Sequence, residues 1–133
     1  MMPSPPCEKV LTTRAKIPAR VLIVDDEPLV RWSLSSGLRS AGFDAVTASS
    51  GAEALTLARQ PRRPDVVLLD LQLYDADPRA LIEEMRLMAP RCRFILLTTA
   101  GQEMPVPGRQ NVVIVEKPFD LADVVRLVGI TVS

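Results

Sequence analysis

The sequence contains no histidine. That excludes Ser/His and Cys/His nucleophilic catalysis, His-ligated metals and a phosphohistidine carried by this chain itself. Cysteine is nearly as scarce: Cys7 lies in the N-terminal stretch and Cys92 just before an apolar run. Two thiols so far apart support neither a disulfide framework nor a zinc site. Aromatic residues make up 4% of the chain, and the arginine-rich "RQPRR" at 59–63 has none interleaved, so it reads as a solvated loop. Net charge is absent too, with 16 basic against 16 acidic side chains. Nothing in that balance calls for nucleic acid or an anionic membrane. No apolar run approaches the roughly 20 residues of a membrane span. No apolar segment follows the N-terminus either, so no signal peptide is read and the cytoplasm is the default location. There is no glycine-rich phosphate loop.

What is present is an alternation. Residues 1–19, with Pro3, Pro5, Pro6 and Pro18, read as a flexible extension, and residues 20–133 as one domain. Within the domain, short β-branched runs occur at 20–25 "RVLIVD", 43–48 "FDAVTA", 65–70 "DVVLLD", 93–98 "RFILLT" and 112–116 "VVIVE". All but the second are almost wholly apolar, as parallel strands covered on both faces would be; the second alternates and suits an edge. Helical periodicity fills three of the gaps. Residues 28–40 carry Pro28 in the first turn, with Val30, Leu34 and Leu38 on one face and a stop near Gly42. Residues 51–59 follow a Ser50/Glu53 capping-box pair. Residues 78–88 follow Asp77 and turn Leu81, Ile82 and Met85 inward; a last helix over 120–128 follows Asp120. The remaining gap, 99–111 "TAGQEMPVPGRQN", disfavours a long helix because each interior proline costs about 3 kcal/mol. The pattern predicts an α/β fold: a doubly wound, five-stranded parallel sheet whose fourth helix is shortened or absent.

Ligands of such sheets bind at the carboxyl ends of the strands. There the sequence places Asp25 and Asp26 after strand one, Asp70 at the end of strand three, Thr98 at the end of strand four and Lys117 at the end of strand five. Neighbouring strands lie about 4.8 Å apart. Two carboxylates at ~4 Å repel by about 4 kcal/mol at an effective dielectric of 20. A hard divalent cation such as Mg²⁺ offsets that repulsion. Asp25 and Asp26 are alternatively helix-capping acids, although a cap needs only one. Lys117 is the only lysine in the folded body; Lys9 and Lys16 precede it, and arginine supplies every other cation. A metal, a carboxylate nucleophile, a hydroxyl and an ammonium are the equipment for phosphoryl transfer to a carboxylate, with Asp70 the best nucleophile.

The segments "VLIVDDEPLVRWSL", "PDVVLLDLQL", "FILLTTA" and "VEKPF", in this order, resemble the CheY-like receiver domain of two-component response regulators over about residues 20–128. "RWSL" resembles in particular the receivers of enhancer-binding transcription activators. The resemblance implies strand order 2-1-3-4-5 and a phosphoryl group received by Asp70 from a sensor histidine kinase or phosphotransfer protein. It implies Mg²⁺ held directly by Asp26 and Asp70, through water by Asp25, and by the backbone carbonyl of Gln72. Thr98, rather than Thr99, would hydrogen-bond one phosphoryl oxygen and Lys117 another, and Lys117–Pro118 would be a cis peptide. The output would be a switched interaction with a downstream protein, by a monomer or weak homodimer that binds neither nucleic acid nor membrane directly. This chain departs from the family in four ways. Tyr74 and Pro78 replace a usual proline and glycine after the phosphoacceptor. The fourth helix is reduced. Asp75 and Asp77 occupy the loop. Ile114 stands where the switch aromatic is expected, which moves the output toward the first and last helices. Two other functions share the residues: a pseudo-receiver that is never phosphorylated, and a Mg²⁺-dependent phosphohydrolase with an aspartyl nucleophile. The latter would need a DxD-type pair at one strand end and a substrate-covering cap, and neither is apparent.

Overall fold

The computed structural model describes residues 17–73, 75–99 and 112–132. In chain order the elements are β1 (Arg20–Val24), α1 (Pro28–Ser40), β2 (Asp44–Ala48), α2 (Gly51–Ala58), β3 (Val66–Asp70), α3 (Pro78–Met88), β4 (Arg93–Thr99), β5 (Val112–Lys117) and α4 (Leu121–Val132). The strands form one sheet in the order β2-β1-β3-β4-β5, every neighbouring pair parallel. The fold class read from the sequence is therefore correct. The stretch 100–111, where a short or missing helix was expected, lies outside the described residues, as do most of the N-terminal extension and Tyr74.

The period of two along each strand divides the interior into two cores. Leu22, Val24, Val67, Leu69, Phe94 and Leu96 face α2 and α3, where Ala54, Leu81, Ile82 and Met85 meet them. Val21, Ile23, Val66, Leu68, Ile95 and Leu97 face α1 and α4, packing on Leu34, Leu38, Val124 and Val128. Each fully buried leucine of this kind stabilises the fold by ~1.5–3 kcal/mol. β1, β3 and β4 are covered on both faces, as their unbroken apolar runs require. β5 departs from that expectation: as an edge strand it leaves Val113 and Ile114 more than a third exposed.

Local chemistry fixes the element ends. α1 stops in a turn closed by Phe43 N donating to Leu38 O and Gly42 N to Arg39 O, both at 3.0 Å. Its left-handed position is taken by Gly42 at φ +96°. Ser50 Oγ accepts from Glu53 N at the start of α2, and the Glu53 carboxylate reaches back to Ser49 N. Asp77 caps α3 and Asp120 caps α4, each accepting from the amide two residues on. α4 runs past Gly129 to Val132, beyond the expected end at 128. Buried Thr131 anchors the extra turn, its hydroxyl donating to Leu127 O and its carbonyl accepting from Arg93 Nη1. Cys92 is buried, and burial with the nearby charge of Asp65 pushes its thiol up to about 12.

Candidate functional site

The register carries the charged residues to one end of the sheet. Val24 pairs with Leu69, Asp70 with Leu97, Thr98 with Glu116 and Thr99 with Lys117. Asp25, immediately after β1, therefore emerges beside Asp70. One carboxylate oxygen from each of Asp25, Asp26 and Asp70 falls within a 4.8 Å cluster. Lys117 Nζ stands 3.3 Å from Asp70 Oδ1. The sequence-derived grouping of two acidic segments and one ammonium is thus present.

Each member is held differently. Asp70 is 2% exposed, and its Oδ1 also accepts from Gln72 N at 3.0 Å. That bond closes the turn after β3. Asp25 is fully buried; its Oδ1 accepts from Glu27 N at 2.9 Å, whereas its Oδ2 has no hydrogen-bond partner among the described residues. Burial pushes the Asp25 carboxyl above the usual range and the Asp70 charge adds to that; the Glu27 amide and Lys117 pull the other way. Asp26 is more open to solvent. Neither Asp25 nor Asp26 is the helix cap: that position belongs to Glu27, without a side-chain capping bond. A buried carboxylate oxygen with no donor, in an all-oxygen cluster, is the surrounding that a hard divalent cation completes. The donor set fits Mg²⁺.

Thr98 is 3% exposed, and its Oγ donates to Thr99 O at 3.3 Å; Thr99 itself is exposed. Of the two adjacent threonines, the one expected at the site is the one enclosed in the fold. Lys117–Pro118 is cis. Ile114 pairs with Leu96 on the outer strand, 38% exposed.

The contacts of four side chains were not foreseen from sequence. Arg31, one turn into α1, donates from Nη1 to the Asp25 carbonyl at 2.8 Å and fixes the acidic turn from behind. Asp75 Oδ1 accepts from Gly51 N at 3.0 Å and ties the loop after β3 to the start of α2. Arg62 and Arg63 are not merely solvated: Arg62 donates to Asp44 and to Pro18 O, and Arg63 to Met88 O and Gln60 O. Most of these partners, Gly51, Asp44, Pro18 and Met88, come from distant segments, so no local pattern could have announced them. Trp32 is 66% exposed on α1.

The family model for the response regulator receiver domain matches residues 21–128. The chain belongs to the response regulator receiver family. Similar curated proteins include the transcriptional regulatory protein PrrA of Mycobacterium tuberculosis, 37% identical over 114 residues, covering 82% of this chain and 48% of that protein. The DNA-binding transcriptional regulator NtrC of Escherichia coli is 32% identical over 116 residues, covering 85% of this chain and 24% of that one. The receiver thus spans half or less of these relatives. Among solved structures, the Vibrio cholerae chemotaxis protein CheY4 superposes with TM-score 0.72 at 26% identity, covering 86% of this chain and 98% of that one. The receiver domain of the hybrid histidine kinase CckA shares the fold with TM-score 0.75 at 22% identity, covering 86% and 100%.

Proposed function

We propose that this receiver accepts a phosphoryl group on Asp70 from the phosphohistidine of a sensor kinase or phosphotransfer protein, in a Mg²⁺-dependent reaction that switches its binding to a downstream protein. The observation that carries the reading is the cluster itself: three carboxylates within 4.8 Å and a lysine 3.3 Å from one of them. Asp25, Asp26, Asp70 and the Gln72 carbonyl would hold the Mg²⁺, which when bound neutralises negative charge where the phosphoryl group arrives.

The residues divide the remaining work. An oxygen of Asp70 attacks phosphorus; the new O–P bond forms as the P–N bond breaks, and the imidazole nitrogen leaves with that electron pair. Lys117, already beside Asp70, moves its ammonium onto a phosphoryl oxygen. The Thr98 hydroxyl exchanges the Thr99 carbonyl for another phosphoryl oxygen. Water later attacks the same phosphorus and restores the carboxylate, so the chain acts on itself rather than on a free substrate. Ile114 offers no ring to follow the threonine. We therefore assign the output to the face of α1 and α4, where Leu29, Trp32 and Ile130 are exposed.

The test is intact-protein mass measurement after incubation with acetyl phosphate, with and without Mg²⁺. A single phosphoryl gain that requires Mg²⁺ and disappears in Asp70→Asn supports the reading. No gain in any condition makes the chain a pseudo-receiver. Steady turnover of varied phosphate esters makes it a phosphohydrolase.

A further inference from the structure

At the end of the sheet opposite the acids lies a cavity of about 760 Å³. Small-molecule sites commonly occupy ~300–1,000 Å³. Four of its lining residues are arginines, Arg62, Arg63, Arg91 and Arg93, against one aspartate, Asp65. Asp65 offsets only one of the four positive charges, and its Oδ2 accepts from Arg20 N at 2.8 Å.

Three of the guanidinium groups are anchored rather than loose. Arg62 is held by Asp44 and Pro18 O, Arg63 by Met88 O and Gln60 O, and Arg93 by Thr131 O. Each guanidinium has five N–H donors, and these bonds occupy one or two of them. The others remain for a ligand, on groups already fixed in position. Arg91 makes no hydrogen bond or ion pair within the described residues and is exposed. Backbone carbonyls cannot neutralise positive charge, so the cavity holds concentrated cationic donors whose partners are mostly uncharged. Beside them, Ile17, Phe43 and Val132 form an apolar wall.

We propose that this cavity binds a small organic polyphosphate, its phosphates on the arginines and its apolar body against Phe43. Arginine pairs with phosphate through two parallel hydrogen bonds, so several oriented guanidiniums favour clustered phosphates over a single carboxylate. No glycine-rich loop is needed, because side chains rather than backbone amides supply the donors. The hollow is open to solvent, but its arginines cluster around one spot rather than forming the continuous basic track a nucleic acid strand would need, which favours a small molecule.

The experiment titrates ADP and pyrophosphate into the full chain by calorimetry in EDTA, which keeps the acidic end metal-free, with an RNA oligonucleotide in parallel. Saturable ADP binding is expected, tighter than pyrophosphate, weakened at least about tenfold by Arg91→Glu and unchanged in Asp70→Asn. Amide chemical-shift changes should centre on Arg63, Arg91, Arg93 and Phe43. Because Arg91 holds no other part of the fold, its variant should melt with wild type. No ADP binding, ADP binding indifferent to Arg91→Glu, or RNA bound more tightly than ADP would each overturn the proposal.

Discussion

Asp25 combines two conditions that a folded protein rarely tolerates together: complete burial and an oxygen with no donor. Leaving such an acceptor unsatisfied costs ~1–3 kcal/mol. Asp25→Asn keeps an oxygen for the Glu27 amide and removes one of the clustered charges. It should therefore raise the melting temperature of the metal-free protein while weakening Mg²⁺ binding, measured by thermal unfolding in EDTA and by Mg²⁺ titration. The pH dependence follows from the raised carboxyl. The folded state holds that proton more tightly than the unfolded chain does, so the stabilisation is complete below the unfolded value near 3.8 and is lost as pH rises through the folded value. The advantage of Asp25→Asn over wild type should shrink as a series of chemical melts moves from neutral pH toward that range.

Between β3 and α3 the chain is held by contacts rather than by regular structure. A Cβ on Gly51 would stand 2.6 Å from the Ala76 Cβ, and Gly51 N is the donor that Asp75 accepts. Gly51→Ala should push this loop away from α2 and cost ~1–3 kcal/mol as overpacking. Asp75→Ala removes only the tether and should cost ~1 kcal/mol; urea unfolding of the two variants checks the order. The same loop marks what a sequence can disclose. Strands and helix starts were legible because burial periodicity and capping bonds are written within a few neighbouring residues: Leu81, Ile82 and Met85 point inward as the spacing says, and Asp77 and Asp120 cap where they stand. Asp25, Asp26, Asp70 and Lys117 could be grouped because parallel strands deliver their carboxyl ends to one edge. Asp75, Arg31 and Arg62 find partners 24, 6 and 18 residues away, fixed only once the layers have packed. The extra turn of α4 was hidden for the same reason, since Arg93, the donor at its last carbonyls, is 38 residues from Thr131 in sequence.

The molecule as a whole keeps its two functions of stability and chemistry apart. Two apolar cores on either side of the sheet carry the packing, and the charged cluster sits at the carboxyl ends of the strands. Mg²⁺ should accordingly stabilise the fold by mass action, by about 2.7 kcal/mol at a hundred times its dissociation constant. Melting temperature should climb with Mg²⁺ concentration in wild type and stay flat in Asp26→Asn, with sodium held constant. Zero net charge over the whole sequence does not prevent local concentrations of one sign among the described residues. Asp25, Asp26 and Asp70 meet at one end of the sheet, whereas Arg62, Arg63, Arg91 and Arg93 line a hollow at the other. These two clusters present fields of opposite sign to a charged partner. In dilute salt an anionic visitor is turned toward the arginine hollow and away from the aspartyl mouth, and the bias fades once ions screen it over ~8–10 Å. Neutralising the mouth thus also sets which way round this molecule arrives.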